Sequence, residues 1–174
     1  MVESSEFLSG VNTENRSDKK VSFGEVDQVI ETVTKDNLEE VLPLIEQYQT
    51  FYQVKDISTE KNREFFSQFG EANPFGCQFA FRESGKIVGF ATVYYTFTST
   101  IASKVAVLND LYVCPDHRGK GIARRLIEHC RTQAAKNNAV RLQWVTAPSN
   151  KTAQKLYDSM DTSKSTWHFY TYNV

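Results

Sequence analysis

The sequence predicts an α/β domain built on one mixed, mostly antiparallel sheet, and three observations carry that prediction. The runs 105–108 and 111–113 are too continuously apolar to keep a face in water, which marks a central strand buried on both sides. It passes through a short basic turn into an amphipathic helix and then into a second apolar run, 141–145. A strand, helix, strand unit of this length pairs its strands in parallel. Upstream, the apolar runs 78–82 and 87–95 flank Glu83-Ser84-Gly85-Lys86, whose glycine suits the left-handed geometry of a hairpin turn.

The elements follow in order. Residues 1–24 are rich in Ser, Glu, Asn and Lys with scattered apolar side chains, too few to offset the entropy of ordering. A flexible tail is expected there, and a single domain over 25–174. The run 26–33 alternates irregularly and opens the domain as its first strand. Asp36-Asn37-Leu38-Glu39 reads as a capping box, and Leu38, Val41, Leu42, Ile45 and Tyr48 recur at helical spacing behind it. Pro43 either kinks this helix or lies close enough to its start to be tolerated. Tyr48, Phe51 and Tyr52 close it as an aromatic cluster that caps the core or lines a substrate site. A second short helix covers 58–69 with Phe65, Phe66 and Phe69 facing inward. After the hairpin and the central strand, a helix opens at Ile122 with Leu126, Ile127 and Cys130 on one face and ends near Asn137 and Asn138. Pro148-Ser149-Asn150 caps a helix over 151–159 that carries Ala153, Leu156 and Tyr157 on one stripe. The aromatic run 166–172 reads as a last strand.

At 174 residues, 40% hydrophobic and 13% aromatic, the chain has the composition of one soluble globular domain with a sizeable core. A net charge of −1 excludes a dominant field of either sign, and with it wholesale binding to a nucleic-acid backbone. Cys77, Cys114 and Cys130 are odd in number and far apart, without metal-ligand or redox-pair spacing. They read as reduced thiols of an intracellular protein, Cys77 and Cys130 as core filler. No apolar run reaches membrane-spanning length and the N-terminus lacks a signal-peptide core, so the cytosol is the expected compartment, with the nucleus also open to the chain.

Chemistry concentrates where the central strand stops. Cys114-Pro115-Asp116 ends it, and His117-Arg118-Gly119-Lys120-Gly121 follows with no apolar side chain before Ile122. A helix N-terminus offers unpaired N–H groups and the positive end of the macrodipole, and two glycines let a ligand reach that backbone. Arg118 and Lys120 add charge, so the loop suits a phosphate, above all a pyrophosphate. It is not a Walker loop, because Gly119-Lys120 is followed by Gly121 rather than Ser or Thr. Nor is it a dinucleotide fingerprint, because Gly119-Lys120-Gly121-Ile122-Ala123-Arg124 ends in arginine.

Arg118-x-x-Gly121-x-Ala123 directly after a buried strand resembles the acetyl-CoA pyrophosphate loop of the GNAT superfamily of N-acetyltransferases. Asn109-Asp110-Leu111-Tyr112-Val113, Pro148-Ser149-Asn150, Ala153 and Leu156-Tyr157 occur in the order and spacing of the same superfamily. Together with Tyr48-Gln49-Thr50-Phe51-Tyr52 they look like the branch of the yeast histone and other protein acetyltransferases, which in turn resembles the diamine acetyltransferases. The resemblance implies the GNAT fold, with helices on both faces of the sheet and a central parallel strand pair that splays apart. It implies acetyl-CoA, with Leu111, Tyr112 and Val113 pairing their backbone to the pantetheine arm. Arg118, Gly119, Lys120, Gly121, Ile122, Ala123 and Arg124 would hold the pyrophosphate, and Asn150 would contact the cofactor or simply cap its helix. Tyr157 would protonate the leaving thiolate, as a phenol with a pKa above that of a thiol is suited to do. Members often form homodimers.

The acceptor side is less determined. A free alkylamine has a pKa near ~10 and must lose a proton before it attacks. Where the diamine acetyltransferases carry a glutamate, this chain has Asn109, which is no base. Asp110 is adjacent, and strand alternation alone would point it to the opposite face from Asn109, as half of an ion pair or as a substrate-facing base. Tyr48, Tyr52, Asn109 and Trp144 are the candidates for acceptor contact, and the Val113 N–H for an oxyanion donor. The expected function is acetyl transfer to a primary amine, a small amine such as a polyamine or amino acid in the first place. A protein lysine, or a noncatalytic acyl-CoA-binding module, are the alternatives.

Overall fold

The computed structural model describes residues 27–70 and 73–174. The tail expected over 1–24 lies outside them. Their sheet has five strands in sequence order: β1 (Gln28–Thr32), β2 (Gly76–Glu83), β3 (Lys86–Thr98), β4 (Ser103–Val113) and β5 (Leu142–Gln143). The first four pair antiparallel and β5 joins β4 in parallel. The hairpin between β2 and β3 turns on Ser84 and Gly85, both at positive φ, as a two-residue turn of matching twist requires.

Both faces of this sheet are covered. Helices α1 (Leu38–Phe51) and α2 (Thr59–Phe66) lie on one side, where Val41, Leu42 and Ile45 pack against Ala80, Phe90 and Tyr112. Helix α3 (Ile122–Lys136) lies on the other, where Ile122, Leu126, Ile127 and Cys130 meet Phe79, Phe81, Ala91 and Leu108. Alternation along β2 and β3, reset once by a register shift between Phe81 and Arg82, sends their side chains to these two cores, so their apolar runs are continuous and yet fully used. Cys77 and Cys130 are buried filler of the α3-side core, as the sequence suggests. A last helix, α4 (Lys151–Asp158), follows β5.

Several local expectations change. Asn37 does not close a capping box: its side chain accepts from the Thr34 N–H and donates to Glu31 and the Thr32 carbonyl, fastening the end of β1 to the start of α1. Pro43 sits inside α1 but faces water, where the carbonyl left without an N–H donor is solvated. Phe66 is buried, while Phe65 remains half in water. The largest departure is the aromatic run 166–172, which forms no strand: Trp167, Phe169, Tyr170 and Tyr172 are each nearly nine-tenths exposed or more. Strand preference is realised only when neighbours supply ladder bonds and contact, and β5, with two paired residues, offers little edge to join. No helix among the described residues is long and apolar enough to cross a membrane.

Candidate active site

The sheet opens at β4. β5 bonds to it only at Ala106 and Val107, so beyond Val107 the β5-facing side of β4 has no strand partner among the described residues. On its other side the ladder with β3 runs on to Val113, and the Cys114 N–H donates to the Val88 carbonyl. Antiparallel pairs alternate in their bonding, so that bond turns the N–H and C=O of Leu111 and Val113 away from β3 and into the opening. Tyr112 bonds toward β3 and sends its ring to the α1 side, where its hydroxyl donates to Gln47 at 3.0 Å.

A β-bulge decides what faces the opening's floor. Thr92 is paired with Asp110 and Val93 with Leu108, which leaves Asn109 as the extra residue. Ala106 and Leu108 before it, and Leu111 and Val113 after it, all pack on the α3 side. The bulge thus reverses the parity of the strand, and Asp110 goes with Tyr112 to the α1 side. This corrects the simple alternation expected of Asn109 and Asp110: the exposed Asn109 side chain still reaches its neighbour, donating from Nδ2 to Asp110 Oδ1 at 3.1 Å.

Asp110 is 8% exposed; Asn109 Nδ2 donates to its carboxylate, and Thr92 and Tyr48 are polar neighbours that favour its charged form. Burial outweighs those groups and lifts its pKa above the ordinary carboxylate value. The structural ion pair considered for it is not formed, since no cation among the described residues bridges to it. Tyr48, on α1, stacks edge-on against Tyr52 at 4.9 Å between ring centroids and reaches Tyr112 at 6.2 Å. Tyr157 packs edge-on against Trp144 at 5.3 Å. Asp110, Tyr48 and Tyr52 thus form one group and Tyr157 with Trp144 a second, drawn from segments more than a hundred residues apart in sequence. Burial raises the pKa of the Tyr48 and Tyr157 phenols, so both hold their protons at neutral pH. Between the end of α1 and the start of α4 lies a cleft of about 500 Å³ lined by Phe51, Tyr52, Ala147, Ser149 and Asn150 among others.

The loop before α3 has the geometry its glycines imply. Gly119 and Gly121 have φ of 77° and 79°, and a Cβ on either would meet no atom within 4 Å. The backbone is open to a ligand at the N-terminus of a 15-residue helix. Arg118 Nε donates to the Val113 carbonyl at 2.9 Å and its guanidinium covers the Tyr112 ring at 5.6 Å. Lys120 is exposed, 3.8 Å from Glu83. Arg124 is turned away to Ser159 at 2.7 Å, while Ile122 is buried and Ala123 half-buried, so these last two can serve a ligand only through their N–H groups. Asn150 caps α4, accepting from the Ala153 N–H at 3.2 Å. A vacant strand edge beside β4, leading to a positively charged, glycine-opened helix end, fits a nucleotide with an extended polar arm such as acetyl-CoA.

Two groups escaped sequence reasoning. Glu83, at the hairpin turn, holds the loop from below, bonded to His117 Nδ1 at 2.6 Å and to Gln28 at 2.6 Å. Its only sequence signal is a carboxylate facing a distant basic loop, which needs the fold to be seen. Thr92 and Gln78 lie in the row beneath Asp110, and their signal was legible: a polar residue at an inward position of an otherwise apolar strand.

The Acetyltransferase (GNAT) family pattern matches residues 41–161. An uncharacterized N-acetyltransferase of Bacillus subtilis, YhfO, is 32% identical over 118 residues, 68% of this chain and 78% of its own length. The D-amino-acid N-acetyltransferase HPA3 of Saccharomyces cerevisiae is 39% identical over 75 residues, 43% of this chain and 47% of its own. The fold is that of the aminoglycoside N-acetyltransferase AAC(6')-Iy, whose structure in complex with CoA aligns with a TM-score of 0.72 over 86% of this chain and 96% of that one at 18% identity. The opened sheet, the helix-end loop and these matches lead to one conclusion: the chain belongs to the GNAT family and is an N-acetyltransferase whose acyl donor is acetyl-CoA.

Proposed function

We propose that this enzyme acetylates the primary amine of a small molecule, an amino acid or a comparable amine, with Asp110 as the proton acceptor and Tyr157 as the proton donor. The observation that carries the reading is the buried carboxylate of Asp110, set among the neutral side chains of Asn109, Thr92 and Tyr48 with no cation bridged to it among the described residues. A buried negative charge without a partner is costly, and an acceptor's ammonium supplies the partner. The activity of HPA3 toward D-amino acids supports the amino-acid class.

Acetyl-CoA, when bound, supplies an acetyl group activated as a thioester. The Leu111 and Val113 backbone would hold its pantetheine arm, and the N–H groups of 119–123 with Arg118 and Lys120 its pyrophosphate. Tyr112 would orient Arg118 through its ring. Arg124 would have to leave Ser159 to join them. Asp110 Oδ would bind the ammonium and take its proton, while Tyr48, Tyr52, Asn109 and Trp144 line the approach. Raised by burial, the Asp110 carboxylate is a better base than an exposed aspartate. Tyr157 Oη keeps a proton for the departing sulfur, and the Val113 N–H faces the opening as an oxyanion donor. The same reading includes a homodimer, supported by the exposed rings of Trp167, Phe169, Tyr170 and Tyr172.

The test is release of free CoA from acetyl-CoA, read with a thiol reagent, over amino acids of both hands, spermidine, aminoglycosides and histone-tail peptides. Turnover with a small amine, reduced about 10²-fold or more in Tyr157→Phe with acetyl-CoA affinity unchanged, is the expected result. Turnover of the peptides alone, or a Tyr157→Phe enzyme at wild-type rate, would overturn the acceptor class or the acid role respectively.

A further inference from the structure

Gln78, Thr92 and Asp110 stand side by side across three strands. Gln78 pairs with Thr92 between β2 and β3, and Thr92 with Asp110 between β3 and β4, all on the α1 side of the sheet. Gln78 and Thr92 are 0% exposed. Gln78 Nε2 donates to Thr92 Oγ1 at 3.0 Å, which leaves the single hydroxyl proton of Thr92 free to point at the Asp110 carboxylate. Donation therefore runs from β2 to β3, and the Thr92 proton is left for the proposed base, its register partner on β4. At the far end Gln78 Oε1 has no partner among the described residues.

For stability alone this row is poorly chosen. Two apolar side chains of the same shapes would fill the core between β2 and β3 without an orphaned carbonyl oxygen, so the hydroxyl and amide cost the fold something that packing does not return. Their direction gives the reason. We propose that Thr92 and Gln78 are positioning residues that hold the Asp110 carboxylate in its proton-accepting form and orientation, Thr92 by direct donation and Gln78 by fixing which way the Thr92 hydroxyl points. The inference rests on the reading of Asp110 as the base. The other titratable groups facing Asp110 are Tyr48 from α1 and Tyr94 from β3, both neutral phenols whose pKa is pushed up by burial first and by the carboxylate second, Tyr94 to about 12.

The experiment follows the carboxyl carbon of Asp110 by NMR in full-length protein labelled with 13C-aspartate, assigned by its disappearance in Asp110→Asn, through a pH titration without any acceptor present. In Thr92→Val, which keeps the shape and removes the donor, the midpoint is expected to rise by about one pH unit, in the direction that losing a hydrogen bond to the charged form dictates. Thr92→Ser should return it to the wild-type value, and Gln78→Met should raise it by less. The acidic limb of kcat/KM against pH, with whichever amine of the panel above is turned over, should move by the same amount. A Thr92→Val protein that folds yet titrates at the wild-type midpoint would overturn the proposal, as would a rise that Thr92→Ser fails to reverse. If Thr92→Val does not fold, Thr92→Ala carries the same expectation. The titration needs no substrate, so its failure is separate from failure of the base assignment, which shows instead as full activity in Asp110→Asn.

Discussion

Asp110 and Glu83 are carboxylates whose surroundings push them in opposite directions, and each shift has its own consequence. Burial raises the pKa of Asp110, so in the window between its unfolded value, near ~3.9, and its folded value the native state binds more protons. Stability therefore falls as pH rises through that window, and ionised Asp110 is a standing cost at neutral pH. Asp110→Asn is expected to unfold at an unchanged or higher temperature at pH 7 while losing about 10²-fold or more of its turnover, as calorimetry and the CoA-release assay would show together. Glu83 has its pKa lowered, first by His117 and then by Gln28, with Lys120 adding charge. Its contribution is present above the ordinary carboxylate range and is lost as pH falls through the lowered folded value. Glu83→Gln should leave turnover at saturating acetyl-CoA near wild type and raise the KM for acetyl-CoA several-fold, because it loosens the loop without touching the acceptor.

At the scale of elements, the bulge in β4 is what places the proposed base on an otherwise apolar strand. One extra residue sets Asp110 and Tyr112 on the α1 side and keeps Leu111 and Val113 packed against α3 with their backbone aimed into the opening. Asn109→Ala keeps that extra residue, and the protein is expected to fold and to bind acetyl-CoA. Deleting Asn109 instead drives either Asp110 into the α3-side core or its neighbours out of it. The deletion should lose cooperative unfolding or acetyl-CoA binding, which circular dichroism and calorimetry would detect.

Across the whole molecule, α3 joins cofactor loop and core. Leu126, fully buried between this helix and the sheet, is expected to cost about 2–5 kcal/mol when cut to alanine, seen in urea as a lower midpoint with little change of slope. The proposed dimer is tested at the other end. Cutting the chain after Lys164 removes the exposed rings and leaves the sheet and the site untouched. A fall in solution mass from dimer to monomer with acetyl-CoA binding retained is the expected outcome, and an unchanged mass would remove the tail from the interface.

Local chemistry alone determined much of this protein. Left-handed Gly119 and Gly121, the apolar periodicity of 122–134, the hairpin turn at Ser84-Gly85 and the cap at Asn150 all depend on residues within a few positions of one another, so they were legible as a fold class and as a basic, glycine-opened helix end. Tyr157 was reached through family spacing, and the fold packs it edge-on against Trp144. The bulge was not legible, because an extra residue is extra only relative to a partner strand, and Asn109 looks like any polar residue in β4. The Gln78–Thr92–Asp110 row and the Glu83–His117 bond join residues up to 34 positions apart in sequence, brought together by register. The tail erred in the opposite sense: seven β-prone residues predict a strand, but a strand needs an edge to bond to, and only the tertiary structure supplies or withholds one.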